Sequence, residues 1–212
     1  MSLFLQKKTD RYQWAIWKID ESEEDLLKLI PFKEEDLQKV HSFRSVRRRL
    51  EWLIVRVLLY QMLGKDKDTV IAYEVGGKPY LKDSSLSISI SHTKSYVAII
   101  LSTDNVTGID IEQYGQRVWK VRDRFVRTDE YPQPYDGDIT WGLLLHWSAK
   151  EALFKCLQNA AADYMKIRLQ NFIPQNEGSF FVEVCNIKSK QIFPVSYFIH
   201  PDFVMTWLTI SE

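Results

Sequence analysis

Gly108-Ile109-Asp110-Ile111-Glu112 alternates apolar and acidic residues. As a β-strand this segment sends Asp110 and Glu112 to the same side, because side chains alternate between faces. Further on, Trp147-Ser148-Ala149-Lys150-Glu151-Ala152-Leu153-Phe154-Lys155 sets Glu151 and Lys155 one turn apart on one face of a helix. If the two segments meet, three carboxylates and one ammonium converge. Such oxygen donors suit Mg²⁺, which keeps several waters and borrows phosphate oxygens from its substrate. Each piece alone has a plainer account. The acid pair can be the wet face of a strand, and Ser148 to Glu151 has the spacing of a capping box. The capping account is the weaker one, since apolar helical periodicity already runs through Leu143, Leu144 and Leu145, and Asp138 offers an earlier cap. Lys155 can pair with Glu151 on the surface or neutralise a phosphate.

Three further groups can meet an anionic ligand. Gly76-Gly77-Lys78-Pro79-Tyr80 puts a lysine in a turn between strands. It is no Walker loop, because Pro79 stands where Ser or Thr is needed and Ala72 replaces the first glycine. Ser89-Ile90-Ser91-His92-Thr93 reads as a hydroxyl-rich turn closing a strand, and adjacent Ser91 and His92 cannot act as a dyad on a strand. Arg44-Ser45-Val46-Arg47-Arg48-Arg49 reads as a solvated basic face, or as contacts for a strongly anionic small molecule or for nucleic acid.

These groups need elements to hold them. Tyr12 to Ile19 reads as a strand, and Ser22-Glu23-Glu24-Asp25 opens an acidic helix start. Apolar spacing predicts a helix from Arg48 to Leu63, stopped by Gly64. Strands follow at Val70–Val75, Leu86–Ile90, Tyr96–Leu101 and Val106–Ile111. A long helix runs from a cap at Asp138 to about Asn159. Phe180–Val184, Ile192–Phe198 and Val204–Ile210 complete the strands. The order predicts α+β architecture, with two halves meeting near Thr103 to Val106.

The 212 residues carry 28 basic and 28 acidic side chains, a balance that argues against a general nucleic-acid binder. No stretch approaches the roughly 20 apolar residues of a membrane helix. The N-terminus lacks the order of a secretory signal. Cys156 and Cys185 show no paired spacing and read as reduced core residues. The expectation is a soluble cytoplasmic protein.

Gly77-Lys78-Pro79, Ser89-Ile90-Ser91-His92, Gly108 to Glu112 and Trp147-Ser148-x-Lys150-Glu151-Ala152-x-x-Lys155 occur in that order. In order and spacing the chain resembles the 4′-phosphopantetheinyl transferases of the larger type, the one that activates surfactin synthetase. The likeness runs from about Arg47 to Lys155. It implies two similar α+β halves related by a pseudo-twofold axis, 1–104 and 105–212, the second carrying the metal site. It implies coenzyme A in the cleft between them and transfer of its phosphopantetheine arm to a serine of an acyl- or peptidyl-carrier protein, releasing adenosine 3′,5′-bisphosphate. By motif match, Asp110, Glu112 and Glu151 would hold Mg²⁺, and Glu151 would accept the serine proton. Lys155 would steady the diphosphate or the leaving group. Lys78, Ser91 and His92 would hold coenzyme A phosphates, with Arg48 or Arg49 at the adenosine end. A fold that supplies both walls of its cleft implies a monomer. The chain departs from the family after Lys155, where Cys156 to Ala162 contains no glycine. A Mg²⁺-dependent nucleotide phosphohydrolase, a non-catalytic regulator that binds coenzyme A or a carrier, and a nucleic-acid module built on Arg44 to Arg49 stay open as alternatives.

Overall fold

The computed structural model describes residues 3–64, 70–82, 84–157, 163–186 and 189–211, with backbone alone at residues 185, 186 and 189. It is a mixed α+β structure. The first sheet contains β1 (Leu3–Lys8), β2 (Tyr12–Lys18), β5 (Ser87–His92) and β6 (Tyr96–Ser102) in the order β1-β2-β6-β5. Between β2 and β5 lie α1 (Glu23–Leu27), α2 (Glu34–Ser42), α3 (Val46–Leu63) and a hairpin of β3 (Ile71–Tyr73) and β4 (Pro79–Leu81). The second sheet contains β7 (Val106–Gln113), β8 (Ile167–Leu169), β9 (Glu177–Asn186), β10 (Ser189–His200) and β11 (Phe203–Ile210), ordered β7-β11-β10-β9-β8. A 3₁₀ helix (Gln116–Arg124) and α4 (Ile139–Leu157) connect β7 to β8.

Period-two alternation builds the layers. On β2 and β6, Ala15, Trp17, Val97, Ile99 and Leu101 pack with Leu53, Ile54, Val57 and Leu58 of α3. The intervening Trp14, Ile16, Tyr96, Ala98 and Ile100 face the other way, onto Ile109, Ile111, Phe203, Met205 and Trp207 of the second sheet. Residues between those, Val204 and Leu208 among them, pack under Leu144, Leu145, Ala149, Ala152 and Leu153 of α4. Helix, sheet, sheet and helix therefore stack in that order. Each fully buried aliphatic in these layers contributes about 1.5–3 kcal/mol of burial.

Local signals set the helix ends. Ser45 Oγ accepts from Arg48 N, and Gly64 follows Leu63 with φ of 87°. At α4, Asp138 Oδ1 accepts from Thr140 N at 2.8 Å, so the earlier cap is the one used. Ser148 lies inside α4, with Oγ 2.9 Å from Thr206 Oγ1 and 3.2 Å from Asp110 O. Ser148 and Glu151 therefore do not form a capping box at the start of α4. The expected continuation of this helix to Asn159 and most of the glycine-free segment, residues 158–162, lie outside the described residues.

Several elements differ from expectation. Ser91 and His92 are not in a turn: both extend β5, paired with Ala98 and Val97, and the turn begins at Thr93. β1, α2, β8 and the 3₁₀ helix have no counterpart among the expected elements. No helix is long and apolar enough to cross a membrane among the described residues.

Candidate active site

Two contacts bring the acid strand and the long helix together. β7 lies beside β5 across the boundary between the sheets. There Ser89 Oγ accepts from Ile109 N at 3.1 Å, and Ser91 Oγ accepts from Ile111 N at 3.3 Å. On its other face β7 presses against α4 at Gly108. A Cβ added to Gly108 would lie 2.1 Å from Ala152 O and 2.7 Å from Cys156 Sγ. Only a residue without a side chain permits that approach. Since Ile109 and Ile111 point into the layer between the sheets, Asp110 and Glu112 point toward α4, where Glu151 and Lys155 stand.

Each carboxylate is held by its own donors. Asp110 Oδ1 accepts from Ser91 Oγ at 2.9 Å and from Lys155 Nζ at 2.7 Å. Asp110 Oδ2 is buried and has no hydrogen-bond partner. Glu112 Oε1 accepts from Trp147 Nε1 at 2.8 Å. Burial, with the charges of Asp110 and Glu151, pushes the Glu112 carboxyl up to about 7. Glu151 Oε1 accepts from the Tyr164 hydroxyl. Its carboxyl is also pushed up, first by burial, while the Tyr164 bond and Lys155 oppose the shift. Two of the acids, Glu112 and Glu151, are raised by burial first and by neighbouring carboxylate charge next, and a half-buried place of that kind is poised for a cation.

The donor set fits a hard divalent ion. It is all carboxylate oxygen, one buried oxygen lacks a partner, and the acids repel one another until a positive charge joins them. Among the described residues, however, no three His, Cys, Asp or Glu side chains are grouped closely enough to hold a metal unaided. Mg²⁺ rarely asks for such a cage, and one or two carboxylates with waters and substrate phosphates suffice.

A cavity of about 600 Å³ opens next to this cluster. Gly76, Gly77 and Lys78 of the β3–β4 turn, Ile88 to Ile90 of β5, and Phe154 and Lys155 of α4 are among its walls. Lys155 thus faces both the cavity and Asp110, and Lys78 stands across the same space. That volume is in the usual range for small-molecule sites.

Ser91, His92, Arg48 and Arg49 are not among the described residues lining this cavity. Ser91 uses its hydroxyl to join β5 to Asp110 and Ile111 N. His92 and Arg48 stand together, Arg48 Nη1 lying 3.5 Å from His92 Nε2. Both flank the buried Glu51 of α3, which also takes Arg47 Nε at 2.8 Å. Burial lowers the His92 imidazole, and the charges of Arg48 and Lys155 lower it further. Arg49 is drawn elsewhere: its guanidinium bonds Glu23 at 2.6 Å and the Phe43 carbonyl at 2.9 Å. The basic run splits because successive helical residues point about 100° apart, so Arg48 and Arg49 cannot share one task.

Sequence reasoning gave no role to three site residues. Trp147 lay in a quoted motif, and its indole holds Glu112. Glu51 anchors Arg47, Arg48 and His92, and its signal was an acid one turn after Arg47. Tyr164 had no signal, because the chain between it and Lys155 shows no period. Cys156 is free and buried against Gly108, its thiol pushed up to about 12 by burial, which suits an inert core residue. The Cys185 side chain lies outside the described residues.

Residues 107–207 match the family model of the 4′-phosphopantetheinyl transferase superfamily. The matched segment contains Asp110, Glu112, Trp147, Glu151, Lys155 and Tyr164, and leaves out Lys78 and the arginine cluster. No curated protein matches the chain. The superfamily match supports a transferase of the phosphopantetheinyl type.

Proposed function

We propose that the chain transfers the 4′-phosphopantetheine arm of coenzyme A to a serine of an acyl- or peptidyl-carrier protein, with Mg²⁺ as cofactor. The observation that carries this reading is Lys155. It bonds Asp110 in the acid cluster and lines the cavity shared with Lys78, within the segment that matches the superfamily. The same reading divides the chain at 1–104 and 105–212 with a pseudo-twofold relation between the halves. In support, every strand of the first sheet precedes Asp104, and every strand of the second follows it. We also assign the larger, surfactin-synthetase-activating type and a monomeric state, since one chain provides both walls of the cavity.

In this mechanism Asp110 and Glu112 would hold Mg²⁺, with Glu151 completing the acidic set. The bound ion supplies charge neutralisation to the diphosphate. Lys155 and Lys78 approach the same phosphates from opposite walls, and His92 with Arg48 receives anionic groups further along α3. The carrier serine Oγ attacks the phosphorus nearer the pantetheine arm. Its proton passes to Glu151, directly or through water, and the bond to the bridging oxygen breaks. Adenosine 3′,5′-bisphosphate leaves with the electron pair. A carboxylate base with a raised affinity for protons suits this step, because a serine hydroxyl is a poor nucleophile. Positioning and charge neutralisation dominate such phosphoryl chemistry.

The test is to incubate the purified protein with coenzyme A, Mg²⁺ and candidate apo-carriers, then weigh each carrier intact. A gain of one phosphopantetheine group is expected on at least one carrier. Coenzyme A breakdown without any carrier would instead favour a phosphohydrolase.

A further inference from the structure

The donors that hold the three acids differ in origin. Ser91 and Lys155 hold Asp110, and Trp147 holds Glu112; all three lie in the segments that carry the chemistry. Glu151 is held by Tyr164, which comes from a separate 3₁₀ turn (Tyr164–Lys166). That turn is fixed in place. Asp163 Oδ1 accepts from Met165 N at 2.9 Å, and the buried Lys150 ammonium reaches Tyr164 O at 3.4 Å. Lys150 is itself locked by Glu130 Oε2 at 2.7 Å, with both side chains fully buried. The Tyr164 ring packs on Trp147 at 5.3 Å and on Phe154 at 5.9 Å. It lies over the turn of α4 that carries Glu151, with its hydroxyl on that carboxylate. In this arrangement Asp110, Glu112 and Glu151 do not form a metal-holding group.

We propose that Tyr164 is a positioning residue that holds Glu151 apart from the Asp110–Glu112 pair, so that Glu151 serves as proton acceptor rather than as a standing ligand of the free protein. The inference deepens the transferase reading and rests on it for the proton step. Its physical basis is that a carboxylate oxygen engaged by a fixed hydroxyl loses freedom to swing toward a cation. The aromatic stack makes the hydroxyl hard to displace.

Tyr164→Phe keeps the ring and removes only the bond, so the fold survives, as a thermal melt within a few degrees of wild type will show. Two readouts then move in opposite directions. Mn²⁺ titrated calorimetrically into the metal-free, coenzyme-free protein should bind about three- to tenfold tighter, because Glu151 is released to the acid pair. The kcat for carrier modification should fall about tenfold or more, with the KM for coenzyme A within about twofold of wild type. In Tyr164→Phe with Glu151→Gln, the gain in Mn²⁺ affinity should vanish. Mn²⁺ affinity that is unchanged, or that falls together with kcat, overturns the proposal. A wild-type protein that modifies no carrier would sink the transferase reading instead, and the Mn²⁺ titration would still decide on Tyr164.

Discussion

Lys155 Nζ lies 2.7 Å from Asp110 Oδ1 and donates to the Ile109 carbonyl at 2.9 Å, so one ammonium fastens α4 to β7 at the acid pair. Lys155→Met keeps the stem and deletes the charge. Its loss leaves the buried Asp110 oxygen with Ser91 alone and should cost roughly 1–3 kcal/mol in a denaturant melt. Carrier modification should fall on the order of 100-fold or more, because a preorganised cation facing the diphosphate is lost. A variant that melts normally and retains activity would remove Lys155 from the mechanism.

Gly108 sets the distance between strand and helix. In Gly108→Ala the new methyl meets the Ala152 carbonyl at 2.1 Å, and backbone cannot yield as a flexible side chain can. Overpacking of this kind costs typically 1–3 kcal/mol, occasionally more. Chemical denaturation should place the loss in that range or above it, accompanied by reduced divalent-cation affinity as α4 shifts away from β7. Unchanged stability would mean the helix has room that the packing denies it.

Acidity acts on two buried groups with opposite sign. His146 bonds the Gly142 carbonyl at 2.9 Å and stacks on Phe172, and burial pushes its imidazole down to about 4. The unfolded chain, with an ordinary value near 6.5, therefore binds more protons between those limits. Stability must fall as pH drops from 6.5 toward 4, by roughly 3 kcal/mol in total. Glu112 is raised, so its contribution is full below its unfolded value near 4.5 and is lost as pH rises through about 7. It partly offsets the His146 slope. Thermal melts between pH 7 and 5 should lose stability with acidity more steeply in Glu112→Gln, and should gain stability with acidity in His146→Gln.

The raised Glu112 also couples cation binding to protons. Below about pH 7 the carboxyl is protonated, so a cation entering the acid pair must displace a proton. Calorimetric Mg²⁺ titrations at pH 6.5 in buffers of different ionisation enthalpy should reveal release of a fraction of one proton. Apparent affinity should rise with pH and level off above 7. Heats independent of buffer would contradict the placement of the ion at Glu112.

How much of this was legible depends on the range of each interaction. The acid alternation in β7 and the Glu151–Lys155 spacing in α4 are local periods, and both elements form where those periods predict. The Asp138 cap and the Gly64 stop are local as well. Ser91 and His92 read as a turn because serine and histidine favour loops, yet pairing with Ala98 and Val97 overrode that preference. Arg49 neighbours Arg48 in sequence, whereas its partner Glu23 comes from α1. Tyr164 and Trp147 act through bonds that span separate elements. No periodicity reports such contacts, so their roles required coordinates.

The account turns on a divalent ion gripped between the β7 acid pair and the α4 turn bearing Glu151. A crystal structure of the protein with Mn²⁺ and coenzyme A locates that ion by its anomalous signal. It should sit at the carboxylates of Asp110 and Glu112, within about 2–2.5 Å of their oxygens, with the diphosphate between Lys78 and Lys155. Coenzyme A bound with the ion elsewhere, or with no ion beside Asp110 and Glu112, would contradict the account.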